Sequence, residues 1–230
     1  MPQVNRRAPT RSDDLLLLDY DANTTHSGGG RAGSRPISLQ FMVNAMCSAM
    51  LAPDTPLMPM RVAAQVFEKL IRQGQVALGE GSQTPDSQRI LDIALGNLDR
   101  QKGVFGELSR NLRMLAGHLV WAQGRSGPFA SRNFESSHAH AVIVGPGGIE
   151  ERTDVRIGLT IMAPYTRFPD HTQYQARAFL SLSPLEFCRE SESWTKAGFG
   201  AVCYSGAGEL VGIRCTTKPL LLLWCNTERP

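Results

Sequence analysis

Apolar residues recur at three- and four-residue spacing through residues 37–122, which is typical of amphipathic helices. Segments rich in proline or glycine divide this region into four stretches, which run from Phe41 to Ala49, Val62 to Ile71, Ile90 to Leu98 and Leu108 to Leu119. Before the third stretch, Thr84-Pro85-Asp86 has the pattern of an N-cap followed by proline in the first turn. The spacing therefore predicts four helices.

Beyond residue 140 the pattern changes to short apolar runs of strand length. Turn signals separate these runs, which cover residues 141–144, 155–162, 178–182, 201–204 and 220–224. Strands at this spacing favour an all-β sandwich or barrel over βαβ units. The sequence thus predicts an α+β protein, with a helical domain over residues 37–124 and a barrel over residues 125–230.

The first 36 residues differ from both regions. Arg and Asp are scattered through them, and the stretch from Ser27 to Ser34 is rich in glycine. Such a segment has too little apolar surface to fold alone, so residues 1–36 are predicted to form a flexible arm. Its one apolar stretch, Leu15 to Tyr20, is expected to dock on the helical segment or across a dimer.

The barrel region carries a series of motifs in a fixed order: HAHAVIVGPGG at residues 138–148, GLTIMAP at 158–164, FPDH at 168–171, LSP at 182–184 and PLLLLW at 219–224. Together they closely resemble the cupin domain of dimethylsulfoniopropionate lyases, over roughly residues 125–226. The resemblance implies a cupin barrel, which is a double-stranded β-helix or jelly-roll.

The resemblance also implies a divalent-metal site, built in that family from a His-x-His pair, a Glu four residues later, a third His from a later strand and a nearby Tyr. The corresponding residues here are His171, Gln173, Arg177, Val211 and, for the Tyr, Phe179. Only His171 matches the family pattern. Phe168 also stands where several relatives have a further Tyr.

The chemistry of these residues argues against a metal. One imidazole plus one amide is too small a ligand set for a first-row divalent ion. Arg177 has no lone pair to offer, and its permanent charge repels a dication. No metal and no other cofactor are therefore predicted.

A guanidinium in place of a metal ion suggests that Arg177 anchors a carboxylate, because the planar fork of donors can form two hydrogen bonds with the two carboxylate oxygens. The adjoining candidates for substrate binding are Gln173, Phe179 and Val211. In the alternative interpretation, Arg177 lies at the barrel mouth and pairs with Glu186 or Glu190.

His171 is the first candidate for proton transfer, because an imidazole titrates near neutral pH. Tyr165, Tyr174 and Tyr204 are further candidates, and Tyr204 is expected to face the same end of the barrel. Each has a structural alternative as a hydrogen-bonded or packed side chain.

Two other groups have mainly structural interpretations. His138 and His140 have metal-ligand spacing, but two further ligands cannot be located in the sequence. The five cysteines contain no CxxC pair and are predicted to be reduced thiols. Cys203 and Cys215 flank the predicted pocket, but neither has a recognisable His partner for nucleophilic chemistry. Arg214 matches a family Arg and is expected to have a structural role at the rim.

Bulk properties restrict the class of protein. The net charge of +3 is small and the basic residues are spread out, so nucleic-acid binding is not indicated. No apolar run approaches the ~20 residues that cross a bilayer, and the run from Leu15 to Leu18 is too short for a signal-peptide core. A cytoplasmic protein is expected, and a homodimer by analogy with other cupins.

Three functional classes remain open. The first, which we favour, is a metal-independent enzyme that uses acid/base chemistry for elimination, dehydration or isomerisation of a small carboxylate. The second is a non-catalytic binder or sensor, and the third is a degenerate paralogue that supports a partner. A cavity lined by His171, Gln173, Arg177 and Tyr204 favours the first two classes, whereas a barrel filled by Phe168, Phe179 and Val211 favours the third. Cleavage of dimethylsulfoniopropionate itself is not expected.

Overall fold

The computed structural model describes residues 34–190 and 192–228. Most of the arm predicted over residues 1–36, including the stretch from Leu15 to Tyr20, lies outside the described residues. Within them, none of the helices is both long enough and apolar enough to cross a bilayer.

The four predicted helices are confirmed, and a fifth short one precedes the barrel. Their bounds are α1 Ile37–Met50, α2 Leu57–Lys69, α3 Pro85–Leu98, α4 Val104–Ala116 and α5 Phe134–Ser137. The Thr84 side chain accepts a hydrogen bond from the Ser87 backbone, and the Ser87 side chain accepts one from the Thr84 backbone. Thr84 is therefore the N-cap of α3, with Pro85 in the first turn, as predicted, and the reciprocal bonds with Ser87 add a capping box.

Some apolar side chains of the predicted helical faces lie outside the core. Phe41 and Ile93 are about half exposed, and Ile71 lies beyond the end of α2 with 82% of its surface exposed. Spacing alone predicts a broader buried face than the helices have.

Eleven strands are present among the described residues. They are β1 Gln75–Val76, β2 Trp121–Ala122, β3 His138–Val144, β4 Glu150–Glu151, β5 Val155–Met162, β6 Arg177–Ser181, β7 Leu185–Arg189, β8 Thr195–Ala197, β9 Val202–Ser205, β10 Val211–Arg214 and β11 Leu220–Thr227. The large sheet has the order β1-β4-β3-β5-β11-β6-β9, with β2 beside β3, and the small sheet has the order β10-β7-β8.

The long strands of the large sheet are buried on both faces. On β11, Leu221, Leu223 and Cys225 pack with the helices in one apolar cluster. The alternating residues Leu220, Leu222 and Trp224 belong to a second cluster, which includes residues of the small sheet. Because successive side chains of a strand point to opposite faces, the large sheet separates the helices from the interior of the barrel.

The helical region is closely joined to the barrel. Strands β1 and β2 arise within residues 37–124, yet β1 pairs with β4 and β2 pairs with β3. Arg35 lies in the predicted flexible arm, but it is buried and its Nε and Nη2 donate to the two carboxylate oxygens of Glu150 at 2.6 and 2.8 Å. Residue 35 is therefore fixed on the barrel, in contrast to the prediction.

Candidate functional site

A cavity of about 240 Å³ opens inside the barrel. Most of its wall is apolar. The polar or titratable side chains in the wall belong to His140, Arg156, Thr160, His171, Gln173 and Arg177. No acidic residue is among the described residues that line it. The barrel is thus not filled by its aromatic side chains. Three of the four residues predicted to line a surviving cavity, His171, Gln173 and Arg177, do line it.

The register of four neighbouring strands explains how these side chains meet. Thr160 of β5 pairs with His140 of β3 on one side and Leu222 of β11 on the other. Phe179 of β6 pairs with Trp224 of β11. Paired residues point to the same face of a sheet, so one face of four strands supplies this wall.

Arg177 is half-buried in the cavity wall, and no carboxylate of the described residues forms an ion pair with it. Its Nε donates to Asn226 Oδ1 at 3.3 Å, and its guanidinium lies 4.1 Å from the centre of the Trp224 ring. Burial, followed by the neighbouring Arg156, lowers the pKa of Arg177 to about 10. The group therefore remains protonated at neutral pH and favours an anion beside it.

The alternative partners predicted for Arg177 are engaged elsewhere. Glu186 forms an ion pair with Arg214 at 2.5 Å, and the Glu190 carboxylate accepts a hydrogen bond from the Leu210 backbone at 2.9 Å. The alternative in which Arg177 pairs with Glu186 or Glu190 is thus wrong.

Arg156 differs from Arg177 in having a carboxylate partner. Its Nε lies 3.2 Å from Glu228 Oε1, and the same oxygen accepts a hydrogen bond from Asn226 Nδ2 at 2.9 Å. Asn226 therefore links the Arg156–Glu228 ion pair to Arg177, which has no ion-pair partner among the described residues. The sequence interpretation missed Arg156, although its position two residues before Gly158 and four before Thr160 places all three on one face of β5.

Trp224 lies flat against the backbone of β5. A Cβ on Gly158 would lie 2.0 Å from Cζ2 of the indole, so only glycine leaves room for the ring. The indole N–H donates to Thr160 Oγ1 at 3.1 Å. The sequence predicts Trp224 as a packing residue, but it also provides the surface on which Arg177 rests.

His171 is held by its backbone and by one ring nitrogen. It forms an isolated bridge with Val211, in which each backbone N–H donates to the other residue's carbonyl. With Nδ1 donating its proton to Pro169 O at 2.9 Å, the neutral ring has its lone pair on Nε2. Burial is the main cause that lowers the pKa of His171 to about 4, and Arg177 adds to it. The imidazole is therefore neutral at pH 7.

The other predicted binding residues lie around His171 and Arg177. Gln173 and Phe179 line the cavity and are buried. Val211 is fully buried in the apolar cluster of the small sheet and is not part of the cavity wall. It supports His171 through the backbone rather than through its side chain.

None of the three predicted tyrosines lines the cavity. Tyr165 and Tyr174 are each 72% exposed. Tyr204 pairs with Ala178 and packs against the cluster on the helical face of the sheet, so its expected position at the pocket is wrong. The alternating neighbours Cys203 and Ser205 point the other way.

The two nearby histidines of β3 have different environments. His138 Nδ1 donates to Phe134 O at 2.7 Å and Nε2 accepts from the Gly124 N–H at 2.7 Å, so protein groups bind both ring nitrogens. His140 lines the cavity, which the sequence interpretation did not predict. Burial, followed by His138, Arg177 and Arg156, lowers the pKa of His140 to about 4.

The thiols beside the barrel are poorly suited to act as nucleophiles. All five cysteines are free. Burial raises the pKa of Cys203 to about 11 and also raises that of Cys215. Neither lines the cavity.

The cavity residues do not fit the divalent ion that the family resemblance implies. Gln173 offers an amide where the family has an imidazole, and Arg177 places a cation where it has a carboxylate. Across residues 34–190 and 192–228, no three or more His, Cys, Asp or Glu side chains are grouped so as to hold a metal. The two imidazoles of the wall share it with two guanidinium groups, which repel a dication.

The fold and the site define a protein of the cupin class. The model of the DMSP lyase (dimethylsulfoniopropionate lyase) family matches residues 59–222, and the chain belongs to this family. No curated protein sequence matches the chain at a significant level.

Two solved structures of DMSP lyases share the fold. One comes from the crystal structures of the DMSP lyases RdDddP and RnDddQII, with a TM-score of 0.61, 14% identity, and coverage of 82% of this chain and 91% of that one. The other is DMSP lyase DddQ from Ruegeria pomeroyi DSS-3, with a TM-score of 0.56, 16% identity, and coverage of 83% and 91%. The predicted α+β architecture and cupin barrel are thus confirmed.

Proposed function

We propose that this protein is a metal-independent cupin enzyme that carries out acid/base chemistry on a small carboxylate inside the barrel. The reaction class is elimination, dehydration or isomerisation. The single observation that carries the proposal is that one cavity contains both Arg177, whose guanidinium has no ion-pair partner among the described residues, and His171, whose tautomer is fixed.

Arg177 would bind the substrate carboxylate. The Trp224 ring and Asn226 Oδ1 restrict the guanidinium, so little side-chain freedom is lost when a ligand binds. A carboxylate would also compensate the positive charge of Arg177, which is a favourable electrostatic change.

His171 would take the proton. The Nε2 lone pair accepts a proton from the carbon next to the carboxylate, and the C–H electron pair forms a double bond as the leaving group departs with its own pair. For isomerisation of an unsaturated acid, the C–H pair instead forms the new double bond, and the electron pair of the old double bond takes the proton back from the imidazolium at another carbon. Arg177 stabilises the negative charge that develops on the carboxylate oxygens during either reaction.

A pKa of about 4 makes His171 a weak base in the free protein. Arg177 is one of the causes of this low value, so a bound carboxylate that compensates Arg177 would raise the pKa of His171. Substrate binding and activation of the base would thus be coupled.

Hydrogen exchange in D₂O tests the proposal with simple carboxylates in place of the natural substrate. EDTA-treated protein is incubated with 3-hydroxybutyrate or 3-phenylpropionate, and NMR follows deuterium at the carbon next to the carboxylate and any loss of water from 3-hydroxybutyrate. We expect exchange that His171→Ala abolishes and Arg177→Met strongly reduces. Exchange that requires an added metal, or that survives His171→Ala, would contradict the mechanism.

A non-catalytic carboxylate sensor is the second candidate, and the low pKa of His171 is the observation that favours it. The two functions differ in one comparison. For an enzyme, His171→Ala removes exchange while calorimetry still detects binding of 3-phenylpropionate. For a sensor, the unmodified protein binds the ligand but never exchanges its protons.

A further inference from the structure

The charge of the cavity wall can be counted residue by residue. Arg156 and Glu228 compensate each other at 3.2 Å, while Arg177 has no carboxylate partner among the described residues. His140 and His171 are neutral at pH 7, because burial depresses the pKa of each to about 4. One positive charge therefore remains, and it matches one carboxylate.

The rest of the wall offers few polar groups to a ligand. Thr160 Oγ1 accepts the indole N–H of Trp224 and keeps its own O–H as a donor, and the other uncharged polar groups are the Gln173 amide and the two imidazoles. The remaining surface is mainly apolar and is represented by Val142, Phe168, Phe179, Leu220 and Leu222. Hydroxyl groups of a sugar acid would lose their water there without new partners, which is costly.

From this distribution we infer that the cavity selects monocarboxylates with a compact apolar body, such as short aryl or alkyl acids, over dicarboxylates and polyhydroxy acids. The carboxylate lies at Arg177, and the apolar body fills the space between the aromatic and leucine side chains. This inference rests on the proposed function for the role of Arg177 and adds the class of substrate. A cavity of about 240 Å³ is below the ~300 Å³ at which most ligand pockets begin, so the acid is small.

The Arg156–Glu228 pair then has a role in specificity. Both side chains are largely shielded from water, with 15% and 24% of their surfaces exposed. While Glu228 compensates Arg156, a second carboxylate of a ligand finds no free cation. Removal of the Glu228 charge would leave Arg156 available and change the selectivity towards dicarboxylates.

Calorimetry with three probes tests the inference: 3-phenylpropionate, succinate and glycolate. We expect 3-phenylpropionate to bind about 10-fold or more tightly than succinate or glycolate, because only it buries an apolar ring. Glu228→Gln should raise the affinity for succinate several-fold more than that for 3-phenylpropionate, because Glu228 also acts electrostatically on Arg177 whereas Arg156 becomes available only to a second carboxylate. Thermal unfolding of each variant verifies that it is folded.

The outcomes separate the inference from the proposed function. Equal or tighter binding of succinate or glycolate by the unmodified protein, still dependent on Arg177, overturns the substrate class and leaves the carboxylate site intact. If Arg177→Met and Arg177→Lys do not weaken the binding of 3-phenylpropionate, both the substrate class and the proposed function are overturned. The same holds if none of the three acids binds. An unchanged affinity of the Glu228→Gln variant for succinate would show that the Arg156–Glu228 pair has no role in specificity.

Discussion

The guanidinium of Arg177 rests on the indole of Trp224, with its central carbon 4.1 Å from the ring centre. The contact places a positive charge over the electron-rich face of an aromatic ring in a wall that is shielded from water. Trp224 therefore fixes the direction of the charge in addition to forming the barrel interior.

Replacement of Trp224 tests this contact. Trp224→Leu removes the aromatic face and should weaken binding of 3-phenylpropionate by about 2- to 30-fold, the range expected for a cation–π contact. Trp224→Phe retains an aromatic face and is the matched variant, which should bind more tightly than Trp224→Leu. Equal affinities for the two variants in calorimetry would show that the aromatic face does not matter.

Gly158 is required by the same indole. Gly158→Ala places a Cβ 2.0 Å from Cζ2 of Trp224, and the buried ring cannot move away without displacing its neighbours. We expect the free energy of unfolding to fall by about 1–3 kcal/mol. Denaturant titration with tryptophan fluorescence measures both stability and ring environment.

Gly96→Ala is the control for this measurement. A Cβ at Gly96 meets nothing within 4 Å, and the residue lies inside α3. The substitution should stabilise the protein by about 0.5–1 kcal/mol through helix propensity. Similar destabilisation of both variants would contradict the steric explanation.

The titration of His171 should respond to Arg177. In the free protein the imidazole is expected to titrate near its pKa of about 4, so it is neutral above that pH. Arg177→Met removes a repulsive charge and should raise the pKa of His171, as should saturation of the unmodified protein with 3-phenylpropionate. NMR of the ring C–H signals between pH 3 and pH 8 measures the shifts, and a value that neither change alters would exclude coupling.

The sign of the pH dependence follows from these groups. Proton abstraction requires neutral His171, so its rate should rise with pH through the pKa of that residue. Carboxylate binding requires protonated Arg177, so it should be lost as pH rises through about 10. The expected profile is a plateau bounded by the two groups, and its acid limb should lie above pH 4 when ligand is bound.

The buried ion pair of Arg35 and Glu150 should be a main source of stability. Arg35→Met leaves the fully buried Glu150 carboxylate with Arg152, 3.8 Å away, and the Gly74 N–H as its partners, which is expected to cost about 3 kcal/mol. Arg113→Met is the control, because its ion pair with Asp99 is 40–46% exposed and should contribute about 1 kcal/mol or less. Chemical denaturation compares the two, and equal losses would contradict the role assigned to burial.

Dimethylsulfoniopropionate should not be cleaved by this protein. Its sulfonium group is a cation, and the described wall of the cavity contains two guanidinium groups and no carboxylate. We expect no dimethyl sulfide in gas chromatography, with or without added Mn, Zn or Fe. The lyase from Ruegeria pomeroyi is the positive control. Metal-stimulated release of dimethyl sulfide by this protein would contradict the inference that the cavity residues do not hold a divalent ion.

The sequence predicts the architecture well because hydrophobic period and turn residues are local signals. The same signals do not determine which face of a strand points inward. Tyr204 is expected at the cavity from its position in the sequence, whereas pairing of β9 with Ala178 turns its side chain towards the helices. His171 and Arg177 could be found because family motifs fix their positions, independently of strand register.

The missed cavity residues share one property: each depends on long-range pairing. Arg156 and Trp224 are 68 positions apart, and both face the cavity because β5 and β11 pair in one register, with Gly158 opposite Trp224. Glu228 follows the last strand and has no motif of its own. A single sequence contains no signal that these residues are neighbours, because their contact is formed by the folded sheet.

The apolar cluster that joins the helices to β11 limits how the protein can be divided. A fragment that begins at residue 125 would lose Val120 and Ala122 from the cavity wall, together with the layer that covers Leu221, Leu223 and Cys225. The face of the large sheet that packs on the helices would then expose a continuous apolar surface to water, which would promote self-association. Attempts to transplant this cavity into another scaffold therefore need to carry the helical layer with the barrel.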